Sequence, residues 1–253
     1  MTSLQQQKRR NDVNIFNIKP WDEENSRIIR QYIQEHLSGS IKILEAGCGQ
    51  KWDLNLQGID YELTGIDLSQ EALEIRKYKK KDLDKIIVGD LRTIELKEAE
   101  YDVIYSSYVL EHISDAEKVL DNMYNWLKPE GFLILRIPDA ETVYGFLSKL
   151  SPFWLKILYK KYIQGRSNAG KPGYDPFPTV YEPFVSKSGI RNYCKKQGLN
   201  IKIEYSYAFD AKDIFKAYPF LGDVIVNTVG ALSLGNLASN RTDLLYIIQK
   251  NVV

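Results

Sequence analysis

The chain has 253 residues, 44% of them apolar, enough to bury one sizeable core. A net charge of +1 gives no global positive field of the kind that gathers on nucleic acid. Two cysteines, Cys48 and Cys194, build neither a disulfide framework nor a metal cluster and suit a reducing cytoplasm, and the polar start Met1–Asp12 lacks the apolar stretch of a secretory signal.

Residues 1–20 read as an N-terminal tail, frayed over Met1–Asp12. Trp21–Leu37 predicts an amphipathic helix with Asp22 as N-cap and Ile28, Ile29, Ile33 and Leu37 on one face, and His36 on its polar side. Strands are expected at about 41–46, 62–67, 85–89, 101–106 and 131–137, with helical patterns between most of them. Ser69 is placed to cap a helix over 70–80, whose end Lys77-Tyr78-Lys79-Lys80-Lys81 reads as a solvated face. Ser114-x-x-Glu117 reads as a capping box opening a helix with Ala116, Val119, Leu120, Met123 and Leu127 on one stripe. Ser186–Gly198 reads as a further helix, and Ile201–Tyr207 and Asp243–Gln249 as two final strands. Alternating strands and helices imply parallel β-α-β crossovers.

Two stretches interrupt this plan. Residues 139–185 are aromatic and partly basic, and residues 208–241 include the apolar run Phe220–Ala238. Asp223, Asn227, Asn236 and three glycines argue against a membrane span there, and a buried helix pair or lid is favoured over membrane contact. The first stretch leaves the carboxyl end of a strand, where open α/β sheets bind ligands. The two are expected to pack on each other as a helical lid, with Tyr144, Phe146, Phe153, Trp154, Tyr174 and Tyr181 among its aromatics.

Ile43-Leu44-Glu45-Ala46-Gly47-Cys48-Gly49 reads as a buried strand running into a glycine turn. Asp67 closes the next strand about twenty residues on, the spacing at which nucleoside-binding α/β folds hold a ribose. The third small residue of a dinucleotide fingerprint is missing, because Trp52 stands there. Glu45, just before the first glycine, suits a cationic ligand better than a pyrophosphate.

The run Leu44–Gly49 resembles motif I of the class I S-adenosylmethionine-dependent methyltransferases. Gly65-Ile66-Asp67-Leu68-Ser69 is similar to that family's ribose-binding strand, and Val88-Gly89-Asp90-Leu91 to the segment whose acid meets the adenine amino group. Tyr101–Ser106, Val109–Ile113 and Trp126–Leu135 continue the resemblance, which covers roughly residues 40–138. Lys51 departs from it, since glycine is common there, and Trp52–Gly58 lacks helical periodicity, so the helix after motif I is expected to be short or irregular.

The resemblance implies a Rossmann-like three-layer α/β sandwich: a mostly parallel seven-stranded sheet with an antiparallel last strand, plus the helical insertions. It implies one methyltransferase domain over 1–253, with the cofactor-binding half at 21–138. It implies S-adenosyl-L-methionine as cofactor, held by Glu45, Gly47, Cys48, Gly49, Asp67, Leu68, Asp90, Leu91 and Ser106. His112 follows the strand at 101–106, on the acceptor side, and is the candidate general base; the other reading is a histidine that orders its loop. The Pro-Pro-aromatic motif of exocyclic base-nitrogen enzymes is replaced by Ser106-Ser107-Tyr108-Val109, and neither cysteine follows a proline. A small-molecule acceptor is expected, a sugar, glycolipid or natural-product intermediate methylated on oxygen or nitrogen. A peptide or protein methyltransferase, and a non-catalytic S-adenosylmethionine-binding partner protein, are the alternatives.

Overall fold

The computed structural model describes residues 15–16, 21–163, 165–171, 176–180, 182–207 and 219–251. Its strands are β1 (Ile15–Phe16), β2 (Ile41–Ala46), β3 (Tyr61–Asp67), β4 (Lys85–Val88), β5 (Tyr101–Ser107), β6 (Leu127–Pro138), β7 (Asn200–Tyr207) and β8 (Asp243–Gln249). They form one sheet in the order β1-β7-β8-β6-β5-β2-β3-β4. The helices are α1 (Trp21–His36), α2 (Gln70–Glu74), α3 (Ala116–Trp126), α4 (Val143–Leu150), α5 (Phe153–Leu158), α6 (Lys187–Gln197) and α7 (Pro219–Leu232). α2 and α5 each continue into a π-helical turn, Ile75–Lys80 and Tyr159–Ile163.

β4, β3, β2, β5 and β6 pair in parallel, and β8 runs antiparallel between β6 and β7. This is the expected mostly parallel sheet of seven long strands, with the last one reversed. The inner strands are buried on both faces, as parallel strands covered by crossover helices must be. On one face Leu44, Ala46 and Ile104 pack with Val119, Leu120 and Met123 of α3 and Ile190 and Tyr193 of α6. On the other, Ile43, Leu63 and Tyr105 pack with Ile29 and Ile33 of α1 and Leu73 of α2.

Four local expectations need correction. Ile15 and Phe16, inside the expected tail, pair with Ser206 and Tyr207 and so satisfy part of what would be an open sheet edge. α1 begins at Trp21, which places Asp22 inside its first turn instead of before it. Ser114 does not cap α3: Asp115 takes a left-handed conformation, φ 60°, and makes no side-chain cap bond. The carboxylate of Glu182 accepts the Asp115 and Ala116 amides instead, at 2.8 and 3.1 Å. β6 starts at Leu127, earlier than expected, and Lys128–Gly131 bulge between the Tyr101–Leu127 and Val103–Phe132 pairs, with Glu130 at φ 63°.

Other signals hold. Ser69 accepts the Ala72 amide at 3.2 Å, Ser186 accepts the Gly189 amide at 3.1 Å, and Gly198 ends α6 at φ 66°. Residues 51–60 form no helix after the glycine turn. The two insertions meet where Val143 donates to Ala238 O at 3.0 Å and Ala238 donates to Glu141 O at 3.1 Å. Of the expected lid aromatics, Tyr174 and Tyr181 lie outside the described residues, as does 208–218 of the second insertion.

Candidate active site

The glycine turn sits at the carboxyl end of β2, between the ends of β3 and β5. Gly47 and Cys48 donate their amides to Ile66 O at 2.8 and 3.1 Å, which draws the turn onto β3. Gly47 is at φ 74°, and a Cβ there would lie 2.4 Å from Val109, so only glycine lets the segment after β5 approach. Gly49 donates to Asp67 Oδ2 at 2.8 Å, and Ser69 donates to Asp67 Oδ1 at 2.8 Å. The Asp67 carboxylate is thereby held at the strand end with lone pairs to spare, since each oxygen accepts more than one bond. Gly89 donates to Asp67 O at 3.1 Å, bringing the start of the β4 loop alongside.

Structure and sequence differ in what several of these side chains do. Leu68, beside the Asp67 carboxylate, is 71% exposed, an apolar surface with no structural use. Cys48 points into the core, where burial pushes its thiol well above the ordinary range, so only its backbone faces the turn. Ser106 is buried and donates to Ala46 O at 3.1 Å, tying β5 to β2. Asp90 is bound by Arg92 at 2.6 Å, which lowers its pKa. Leu91 is a core side chain whose carbonyl accepts from Asn122 Nδ2 at 2.8 Å, leaving its backbone N–H for any ligand contact.

Glu45 has an unforeseen partner. Arg76, with no exposed surface, donates to Glu45 Oε2 and to Cys48 O, both at 2.9 Å, and to Asp82 at 2.9 Å. Burial raises the Glu45 carboxyl and the guanidinium opposes that shift. The result is a buried ion pair braced against the back of the glycine turn. A signal for it existed: Arg76 falls four residues after Ala72 and three after Leu73, on the buried stripe of its helix.

On the acceptor side, Leu110–His112 form a single 3-10 turn after β5. His112 Nδ1 lies 2.7 Å from Pro178 O. A carbonyl only accepts, so Nδ1 carries the proton and Nε2 keeps its lone pair in the neutral ring. Burial lowers the His112 pKa, the Pro178 bond opposes that, and Lys156 and Lys160 lower it further. Val180 donates to Glu111 O at 2.8 Å, so residues 176–180 strap this turn. Glu111 was missed by sequence reasoning: its carboxyl is buried, its Oε2 has no hydrogen-bond partner among the described residues, and desolvation raises its pKa to about 8. Nearby, burial likewise raises Asp243 to about 6, while Arg136 donates to Tyr105 OH at 3.1 Å and lies over the Tyr108 ring. A separate cleft lined by Thr64, Lys85 and Tyr101 lies at the amino ends of β4 and β5, the wrong end for ligands of this architecture.

An open parallel sheet with a glycine turn after its first long strand and an acid closing the next defines a nucleoside-binding α/β protein. Residues 44–135 match the family model described as a methyltransferase domain. Over 190 residues the chain is 24% identical to the ubiquinone/menaquinone biosynthesis C-methyltransferase UbiE of Campylobacter jejuni, covering 72% of this chain and 80% of that protein. It is 26% identical over 164 residues to the demethylmenaquinone methyltransferase of Thermotoga maritima, covering 65% and 68% respectively. A SAM-dependent methyltransferase of Methanosarcina mazei superposes with a TM-score of 0.54 at 14% identity, over 88% of this chain and 98% of that one. The [4+2]-cyclase SpnF superposes with a TM-score of 0.55 at 14% identity, over 96% and 86%, so the fold alone does not dictate the reaction. The methyltransferase-domain match over residues 44–135, the methyltransferase relatives and the shared fold support a class I S-adenosylmethionine-dependent methyltransferase.

The site fits that cofactor. At Gly49 the direction a Cβ would take is open space, Asp67 presents a carboxylate, and exposed Leu68 offers an apolar face.

Proposed function

We propose that the enzyme methylates a small-molecule acceptor that must lose a proton as the new bond forms, with His112 as proton acceptor. The observation that carries this is the tautomer set by Pro178 O, which leaves Nε2 basic on a ring whose pKa is lowered and which is therefore neutral near pH 7. S-adenosylmethionine supplies a methyl group on a sulfonium, already activated by its charge. The chain's own contribution is to bind, align and exclude water. Asp67 would hold the ribose hydroxyls, the Gly47–Gly49 backbone the methionine portion, and Leu68, Asp90 and the Leu91 backbone the adenine.

A hydroxyl of a sugar, glycolipid or natural-product intermediate meets the proton requirement. A second reading is a hydroquinone-type ring carbon, which also sheds a proton; the similarity to the Campylobacter jejuni enzyme favours it. Calorimetry tests the cofactor part: S-adenosylhomocysteine should bind and NAD should not. Asp67→Ala should weaken that binding by ~1.5–3 kcal/mol, the range for hydrogen bonds to a charged group. Unchanged affinity removes Asp67 from the site. Methyl transfer from labelled cofactor to hydroxyl and hydroquinone acceptors in parallel separates the two acceptor readings.

A further inference from the structure

The two insertions turn their inner sides to each other, but much of their apolar surface faces outward. α5 and its π-turn expose Trp154 at 61% and Tyr162 at 69%, together with Leu155 and Leu158. α7, which packs on α4 and whose Gly230 lies against Val143, exposes Phe220 at 81% and Leu221 beside it. No core needs these side chains at the surface, and exposing them costs free energy unless something covers them.

Charge says what covers them. From Thr142 to Lys171 the sequence holds Lys149, Lys156, Lys160, Lys161, Arg166 and Lys171 and no aspartate or glutamate. A segment of +6 in a chain of net charge +1 is a concentrated basic patch. Its lysines alternate with tryptophan, phenylalanine, tyrosine and leucine on short helices. That is the composition of a helix lying in the headgroup region, rings at the acyl boundary and ammonium groups on phosphates. Among the described residues no helix is long and apolar enough to cross a membrane, so contact would be with one surface.

We propose that α4, α5 and the exposed side of α7 form a docking face for an anionic phospholipid surface. The face is coupled to the reaction site. Lys156 of α5 donates to Thr179 Oγ1 at 3.1 Å, and the same strap carries the Pro178 carbonyl bonded to His112. A lipid surface engaging α5 therefore lies one residue contact from the cover of the acceptor site. The docking does not depend on which acceptor is methylated.

Vesicle co-sedimentation of the full chain tests this, with pure phosphatidylcholine against a phosphatidylcholine–phosphatidylglycerol mixture. Binding is expected to the anionic vesicles only, and to fall steeply with salt. Lys149→Gln with Lys161→Gln, both exposed, should weaken it roughly 25-fold, from the contribution of each lysine near an anionic surface. Trp154→Ser should weaken it about tenfold through lost apolar contact. Retained S-adenosylhomocysteine binding by each variant shows that it is folded, and a variant that fails this is replaced by Leu155→Ser or Lys160→Gln. Binding to neither vesicle, equal binding to both, or binding indifferent to all these substitutions overturns the proposal. So does concentration-dependent self-association in ultracentrifugation that Trp154→Ser abolishes while no vesicle binds, since the face would then cover a second copy of the chain.

Discussion

Replacing Arg76 with methionine isolates the buried ion pair behind the glycine turn. The guanidinium has no exposed surface and joins Glu45, Cys48 O and Asp82 at 2.9 Å each. Asp82 is the least affected partner, because its side chain is 28% exposed and can rehydrate. Glu45 is 5% exposed and cannot. Stranding one member of a buried pair costs ~3–5 kcal/mol, and the orphaned Cys48 carbonyl falls partly within that figure. Against a total stability of ~5–15 kcal/mol, the variant should be folded but markedly weakened.

Glu45→Met combined with Arg76→Met removes both charges, and replacement of a buried pair by apolar side chains is often near neutral. The double variant should therefore be more stable than Arg76→Met alone, with a coupling of at least ~1.5 kcal/mol in the double-mutant cycle. Urea unfolding followed by circular dichroism measures all four corners. A cost below ~1 kcal/mol for Arg76→Met, or single effects that add within ~0.5 kcal/mol, would refute the reasoning.

Glu182→Ala should cost ~1–2 kcal/mol in urea unfolding by uncapping α3, whereas Ser114→Ala should cost less than half of that; the reverse order would restore the capping box. Glu111 has a folded pKa raised from 4.5 to about 8, so its stabilisation is complete below the unfolded value and is lost as pH rises through the folded one. Unfolding midpoints of the native chain should fall relative to Glu111→Gln between pH 5 and 9, by ~1.4 kcal/mol per unit where only the unfolded chain ionises, and parallel profiles would discard the shift. His112→Ala should lower turnover by ~10²–10⁴-fold with S-adenosylhomocysteine affinity unchanged. In the native enzyme the acid limb of kcat should lie below the ordinary histidine value of ~6.5, because burial lowers this ring's pKa; a loss under tenfold leaves His112 as a residue that orders its loop.

What was readable in the sequence shares one physical property: its partners lie within a single β-α-β unit. Gly47, Gly49 and Asp67 belong to adjacent strands and the turn between them, and Ser69 caps the helix that follows. Arg76 lies in that window too, but a charge run next to it masked a buried position, and the π-turn after Glu74 is not encoded in side-chain periodicity. The acceptor side is assembled differently. His112 meets Pro178 across 66 residues, Ala116 meets Glu182 across 66, and Arg241 meets Asp139 across 102. No local pattern contains those pairs, so the cap of α3, the tautomer of His112 and the outward turn of the insertion aromatics had to come from the structure. The same separation has a functional consequence. Among the described residues, 176–180 are hydrogen-bonded to the Leu110–His112 turn through Val180 and Pro178, whereas the glycine turn meets the Asp67 carboxylate through the Gly49 amide. Changes in the strap should therefore alter acceptor preference and the pH profile while leaving cofactor affinity in place.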